Sequence, residues 1–492
     1  MPATLPGQPT SLWTATAADD GYPQLAGDDA ADVAVIGGGI AGLTTAWVLS
    51  NAGKSVVLLE AGRIGAGVTG HTTGKVTSLH RLAYQDLPAG TAALYGRANQ
   101  LAVEYVTALA GDQGIDCGLR EVDNYTFAES AAGLARVRRE AELTASLGLP
   151  ASFTTEVPLP FAVRGAVKFQ RQAQIHAVRY LHGLAKAVTR AGGRIFENTT
   201  VSSFGDGRVV TEKGAVYAKD VVVATNMPFT KQGLFMFRCH PHRSYLVAAP
   251  LAGELWDGTF ISADEPLRSI LTTRIDGENY VLAGGEGHPV SEAVTDQAER
   301  YRRLAAYATD RLGAGSAAYR WSTQDGVPLD GIPYAGPVTP WNKHVQVITG
   351  LRKWGLSNGT ACALAVADRI LGRVNPFISL YDSNRFTPIR SAARFVTANL
   401  ATARAMLRRP ASRGLPGPGE AGVIQRNGKP VAVYTEPDGQ AHAVSAVCTH
   451  QGCTVEWNSG DLTWDCPCHG SRYQPDGQVI HGPAVKPLAP AD

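Results

Sequence analysis

Apolar and polar positions along the chain follow two periods, one near 3.6 and one near 2. Residues 32–36 are a short apolar run, 37–42 are glycine-rich, and 43–52 carry helical spacing closed by Gly53 before a second run at 55–59. That succession predicts a strand, a helix and a parallel strand, since an apolar run bounded by turn residues suits a buried strand and a glycine stops a helix. Helical spacing recurs over 94–110, 131–147 and 175–191, the last closed by Gly192 and Gly193 before a strand at 194–197. Residues 209–223 alternate around a turn at Gly214 and end in the run Val221-Val222-Val223-Ala224. From about 240 to 288 the pattern turns β-rich, with strands predicted at 245–248, 259–262, 269–273 and 280–283. These read as an antiparallel sheet inserted between parallel-sheet segments. A helix around 291–312, a buried strand at 345–348, a glycine-bounded turn at 350–359 and a helix to about 371 follow.

Length and composition then bound the assembly. At 492 residues, 44% hydrophobic and 18% charged, the chain predicts two or three globular domains. A net charge of +2 gives no whole-molecule attraction to nucleic acid. No run approaches the ~18 apolar residues of a membrane span, and the first residues lack a basic start with an apolar core, so no signal peptide and a cytoplasmic location are expected. Residues 1–30 read as a polar lead-in. Between Asp382 and Glu420 there is no acidic residue but there are seven arginines, at 385, 390, 394, 404, 408, 409 and 413, and Val396, Leu400, Ala403 and Leu407 recur near helical spacing. The expectation is a bridging helix packed on the large part with its arginines in water; the alternative is a docking face for an acidic redox partner or a membrane. The Pro/Gly/Ser stretch 410–419 marks a linker to a last small domain.

The first glycine cluster carries chemistry. In a GxGxxG turn, Gly37 permits the tight strand-to-helix turn, Gly39 lets backbone approach a pyrophosphate, and Gly42 lets helix and strand pack closely. Glu60 ends the second strand 18 residues after Gly42, placed for a ribose. The segments Ala61-Gly62-Arg63, Gly65 to Gly74 (with His71, Thr72 and Thr73), Asp330 to Gly336, and Gly350-Leu-Arg-Lys-Trp354-Gly355-Leu-Ser-Asn358-Gly359 resemble those of the glycine/D-amino-acid oxidase (DAO) family of flavoproteins, over roughly 31–375. The resemblance implies FAD, with the late helix pointing its positive end at the flavin. The frame of His71 also resembles the loop in which dimethylglycine and sarcosine dehydrogenases attach FAD covalently, although Gly70 stands where those enzymes carry Trp; a non-covalent histidine near the flavin is the alternative.

Four of the seven cysteines fall within 21 residues, in Cys448-Thr-His450-Gln-Gly-Cys453 and Cys466-Pro-Cys468-His469-Gly-Ser471-Arg-Tyr473. Cys-x-His, fifteen residues and Cys-x-x-His can put two thiolates on one iron and two imidazoles on the other. The same donors suit tetrahedral zinc, but zinc ribbons lack the extra cysteine pair and the downstream Ser-x-Tyr. The segment closely resembles cytochrome-bc-type Rieske domains over about 420–490. That resemblance implies a [2Fe–2S] cluster on Cys448, His450, Cys466 and His469, a disulfide between Cys453 and Cys468, hydrogen bonds to cluster sulfur from Ser471 and Tyr473, and a covering loop at Gly482-Pro483-Ala484.

The fold expected is an α/β FAD-binding, Rossmann-like domain (31–85, 165–230 and 320–380) with an inserted antiparallel-sheet substrate domain of α+β type (86–164 and 231–319). A bridging helix and linker (381–414) and a small all-β Rieske domain (415–492) complete it. The resemblances imply oxidation of an amine or amino acid to an imine, with electrons passing from FAD through the cluster to an external one-electron acceptor. Tyr245, Arg274 and Arg352 are candidate pocket residues, Arg274 for a substrate carboxylate. The alternatives are an electron-transfer reductase or a redox-sensing protein without an amine substrate. A Rieske oxygenase would need a mononuclear iron site of two histidines and a carboxylate, and an NAD(P)H reductase a second nucleotide fingerprint; neither pattern is present in the sequence.

Overall fold

The computed structural model describes residues 5–18, 21–205, 207–293, 296–385, 388–406 and 414–491. Arg408, Arg409, Arg413, Leu407 and the start of the linker lie outside that set. One sheet runs in the order Tyr334–Thr339, Asn342–Thr349, Ala215–Val223, Asp29–Ile36, Val56–Leu59 and Arg194–Phe196. Four of these five pairings are parallel and the first is antiparallel, with Ile36 beside both Leu59 and Val223. Central parallel strands are covered on both faces, which is why they read as unbroken apolar runs. The helix Ile40–Asn51 packs on this sheet between Ala177–Arg190 and Gly355–Leu371.

The second sheet has nine strands and builds outward from Tyr319–Pro328 through Cys239–Pro250, Glu278–Pro289, Arg268–Ile275, Thr259–Ser262, Arg120–Ala128 and Gly165–Gln174 to Lys75–Val76. It is antiparallel except where Thr259–Ser262 runs parallel to Arg120–Ala128. The inserted sheet is therefore wider than the 240–288 pattern predicts. The C-terminal domain carries two small antiparallel sheets, Ala421–Arg426 with Lys429–Thr435 and Ala441–Ser445, then Glu456–Asn458 with Thr463–Asp465, Arg472–Tyr473 and Val479–His481.

Two expectations need correction. The polar lead-in is in part structural: Leu12 and Trp13 are fully buried, Ser11 Oγ donates to the Gly70 carbonyl at 2.6 Å, and Trp13 Nε1 donates to the Thr72 carbonyl at 2.7 Å. The lead-in thus pins the loop carrying Thr72 and Thr73. The bridging helix exists, as Pro388–Met406, but Val396, Leu400 and Ala403 face outward; among its described side chains the buried ones are small, Thr402 and Ala405. The apolar spacing was legible, whereas its direction is set by partners distant in sequence. Among the described residues no helix is long and apolar enough to cross a membrane.

Candidate functional site

A cavity of about 960 Å³ opens where the parallel sheet, the inserted sheet and the C-terminal domain meet. Gly37, Gly39, Glu60, Ala61, Thr72, Thr73, Arg352, Trp354, Gly355 and Tyr245 line it. The geometry explains the glycines. Gly37 has φ +110° and a Cβ there would stand 2.5 Å from the Ala224 carbonyl; at Gly42 a Cβ would stand 1.9 Å from the Gly37 carbonyl. Gly42 therefore sits behind the cavity and sets the helix against the turn. The helices Ile40–Asn51 and Gly355–Leu371 both begin at the cavity wall without a side-chain cap. Thr69 Oγ1 takes the Ile40 N–H at 3.2 Å; the other first-turn N–H groups and the positive ends of both helices face the cavity, which suits a pyrophosphate and an electron-rich ring. Glu60 takes N–H bonds from Gly38 at 2.7 Å and Gly62 at 2.9 Å, leaving lone pairs for ribose hydroxyls. A volume near the upper end of ligand pockets, two helix N-termini and this acid fit FAD.

Other expected residues support the wall from behind. Gly350, at φ +73°, makes a turn where a Cβ would meet Pro328 at 2.6 Å. Asn358 Nδ2 donates to Tyr95 Oη and to the Leu351 carbonyl, both at 3.1 Å, and Gly359 lets its helix approach Ile40. Arg63 does not line the cavity; it pairs at 3.3 Å with the buried Glu197, which caps the Tyr22 and Ile64 N–H groups. His71 is also absent from the wall formed by its neighbours. Its Nδ1 donates to the Gly67 carbonyl at 2.8 Å, beside Arg472 and Asp461 of the C-terminal domain. Tyr245 needs correction as a pocket residue: its strand borders the cavity, but its side chain is fully buried, with its ring packed on Tyr301 and His288 at 5.2 and 5.8 Å and its hydroxyl 3.0 Å from His288 Nε2.

Arg274 is a correction. It is exposed at the hairpin end of Arg268–Ile275, where its Nε donates to Asn279 at 2.8 Å, outside the cavity. Strand alternation explains this: Thr273 and Ile275 take the inward positions on either side.

The charge facing the cavity comes instead from Lys353, which sequence reasoning did not single out. Lys353 Nζ donates to His242 Nδ1 at 2.7 Å and Ser244 Oγ at 3.0 Å, and its backbone N–H to Asp325 at 2.7 Å. An ammonium has three donors, so one remains for a ligand. Arg352 and Lys353 both have left-handed φ, +56° and +67°, a strained backbone for long side chains that neighbours must hold in place. Burial lowers Lys353 to about 8, with Asp325 opposing; burial lowers His242 to about 3 and raises Asp325 to about 6. His80, stacked on Trp354 at 4.7 Å, and Arg300 complete this end. His242, Ser244, Asp325 and Arg300 lie on strands and a helix far apart in sequence, and no local motif marks them.

The C-terminal loops converge as their spacing predicts. Cys453 and Cys468 form a disulfide. Cys448 Sγ lies 3.1 Å from Tyr473 Oη, and Ser471 Oγ accepts the Ala484 N–H at 3.0 Å, tying the proline loop to the ligand loops. The Cys448 thiol is driven down, chiefly by its hydrogen bond with Cys466. His450 and His469 stand 5.1 Å apart, and burial brings each to about 4, hence neutral at pH 7. Both ring nitrogens of His450 and Nδ1 of His469 are buried with no hydrogen-bond partner among the described residues. Neutral buried imidazoles lacking partners, beside two buried thiols, are a donor set that a cluster iron satisfies.

The two sites touch. The strand and loop Val479–Val485, which include the proline loop that Ser471 ties down, line the same cavity as Gly37 and Lys353, and His481 Nε2 lies 3.4 Å from Asn226 Nδ2. Beside it, Arg243 is paired with Asp465 and donates to Gln324 at 3.0 Å, while Gln324 donates to the Gly470 carbonyl at 2.8 Å. Asp461 accepts from Tyr301 at 2.5 Å, Ser322 at 2.6 Å and Arg472 at 2.7 Å.

Comparison with known proteins agrees with both halves. Residues 32–369 match the family described as FAD dependent oxidoreductase (DAO), and residues 408–491 the Rieske [2Fe-2S] domain. The Bacillus subtilis (strain 168) protein YhfW, described as a Rieske 2Fe-2S iron-sulfur protein, is 32% identical over 98% of both chains. The Synechocystis cytochrome b6-f complex iron-sulfur subunit 1 is 49% identical over 12% of this chain and 35% of its own. Among solved structures, glycine oxidase from Geobacillus kaustophilus superposes with a TM-score of 0.62 at 21% identity, over 73% of this chain and 100% of its own. L-proline dehydrogenase from P. horikoshii gives 0.62 at 20% identity, over 74% and 98%.

Proposed function

Because the chain belongs to the FAD-dependent oxidoreductase (DAO) family and ends in a Rieske [2Fe–2S] domain, we propose that it oxidises a small amine or amino acid and delivers the electrons through the cluster to an external one-electron acceptor. Bound FAD supplies two-electron chemistry, taking a hydride as a C–N bond becomes an imine, and the cluster supplies one-electron transfer.

The chain's own residues do the rest. Lys353, held by His242 and Ser244, offers its remaining N–H to an anionic group such as a substrate carboxylate. Trp354 and His80 form a flat wall and the inserted sheet covers the cavity, so alignment of the donor carbon is their main contribution. Neutral His242 sets no positive charge against the Lys353 ammonium whose hydrogen bond it accepts.

The observation that carries the relay is the shared wall: Val479–Val485, tied to the cluster loops through Ser471, also bound the flavin cavity. Anaerobic mixing with a panel of amines and amino acids tests it, following flavin bleaching and the electron-paramagnetic signal of the reduced cluster. Both changes are expected with at least one carboxylate-bearing amine. Bleaching with a silent cluster would remove the relay, and bleaching by NADH alone would replace the amine reading with a reductase.

A further inference from the structure

The helix Pro388–Met406 inverts the usual arrangement of a surface helix, which buries its large apolar residues. Among its described side chains the buried ones are small, Thr402 and Ala405, and Ala405 joins the core of the C-terminal domain. The large ones described face water: Val396 is 63% exposed, Leu400 48%, Met406 46% and Phe395 44%. The short helix Phe235–Arg238 extends the patch, with Leu234 56% and Phe237 43% exposed, and Asn399 Nδ2 donates to the Phe237 carbonyl at 3.1 Å. Single exposed apolar residues are ordinary, but six around one helix and its neighbour mark an interaction surface.

Charge narrows what covers it. The segment from 383 to 419 holds seven arginines and no acidic residue; of the three whose side chains are described, Arg385 pairs with Asp330 at 2.7 Å, Arg394 donates to the Leu329 carbonyl at 3.3 Å, and Arg404 is exposed. A second copy docked on this face would bring like charge against like charge, which opposes association. An acidic protein surface would match the arginines and leave the large apolar side chains without an apolar phase. An anionic lipid surface accepts both at once, acyl chains for Phe395, Val396 and Leu400 and headgroups for the arginines. The patch also lies on the cluster's side of the molecule: Gln451, next to His450, reaches Met236 Sδ of the same short helix at 3.8 Å.

We infer that this face seats the protein peripherally on an anionic membrane surface. The test is sedimentation of the full-length, cofactor-loaded protein with vesicles of phosphatidylcholine alone or mixed with phosphatidylglycerol. Binding is expected to the mixed vesicles and to weaken at about 0.5 M salt, where the screening length falls to a few ångströms. The double variant Val396→Asp/Leu400→Asp, altered only at exposed positions, is expected to lower binding at least about fivefold, since each change replaces an apolar contact by a charge that anionic headgroups repel, with its flavin content and cluster spectrum unchanged. The inference is overturned if phosphatidylglycerol adds no binding, if the double variant binds like the parent, or if the parent is a dimer in solution that the same substitutions dissociate.

Discussion

In the proposed reaction a single side chain, Lys353, carries the substrate end of the site. Burial draws its ammonium down to about 8, while Asp325, at about 6, and His242, at about 3, have finished titrating below that. Arg81 and Glu265 also face it and act through charge alone. The cation is therefore present below pH 8 and lost above it. For a carboxylate-bearing substrate, KM is expected to be flat from pH 6.5 to 7.5 and to rise toward tenfold per unit above 8. Lys353→Met is expected to raise KM by ~10- to 100-fold, as loss of a charge-assisted bond of 1.5–3 kcal/mol implies, and to abolish that pH dependence. A steady-state profile that keeps the rise in the variant would assign it to another group. His71 makes a different prediction. Its imidazole is engaged with the Gly67 carbonyl and turned from the cavity wall, so acid precipitation is expected to leave the yellow flavin in the supernatant; colour in the pellet would show a covalent bond. The residues legible in the sequence, Gly37, Glu60 and the four proposed cluster ligands, are those whose chemistry depends on local spacing. Lys353 sits inside a recognised loop, yet its role depends on His242 and Ser244, 111 and 109 residues away, and Arg274 was misplaced because strand phase at a hairpin end depends on the register with Asn279.

Between elements, close approach does what side chains elsewhere do. The helix Ile40–Asn51 reaches the cavity only because residue 42 has no Cβ: an added methyl carbon would lie 1.9 Å from the Gly37 carbonyl, a backbone atom that cannot rotate away. Gly42→Ala must push helix and turn apart. Overpacking of this kind costs about 1–3 kcal/mol, and because the displaced N–H groups are those facing the pyrophosphate, most of it is expected in FAD affinity, a loss of ~10- to 100-fold by fluorescence titration with a smaller change in melting temperature. Equal FAD affinity in the variant would mean the helix N-terminus is not the phosphate site. The βαβ unit around this helix was readable because each part signals locally: a buried run, glycines, a helix stop. The strands Arg120–Ala128 and Gly165–Gln174 were not, since they are recruited by pairing with Thr259–Ser262 and with each other across long separations. The same reason hid the outward face of Pro388–Met406, whose period is local and whose orientation is not.

Across the whole molecule, what joins the two redox halves is a buried ionic seam. Arg243, 4% exposed, pairs with Asp465, and Arg472 bridges Asp465 and Asp461, which Tyr301 and Ser322 hold from the flavin side. Although burial alone would raise it, Asp465 is brought down to about 2 by Arg243 and Arg472. A carboxylate depressed in the folded state stabilises it above its unfolded value, near 4, and that contribution disappears as pH falls from there through about 2. Docking is thus expected to hold at pH 5 and to weaken steeply below 4. Asp465→Asn leaves two buried guanidinium groups short of charge, for which a cost of about 3–5 kcal/mol is usual. The expected result is specific: substrate still bleaches the flavin, since Lys353 and Glu60 are untouched, but stopped-flow reduction of the cluster slows at least tenfold, the equivalent of about 1.4 kcal/mol. The double change Arg243→Met/Asp465→Leu separates charge from contact, because a well-packed apolar pair of similar size often replaces a buried ion pair without loss. Recovery of fast cluster reduction in the double variant would mean that the seam acts by holding the proline loop against the flavin cavity. Fast reduction in Asp465→Asn itself would show that the two centres communicate without it.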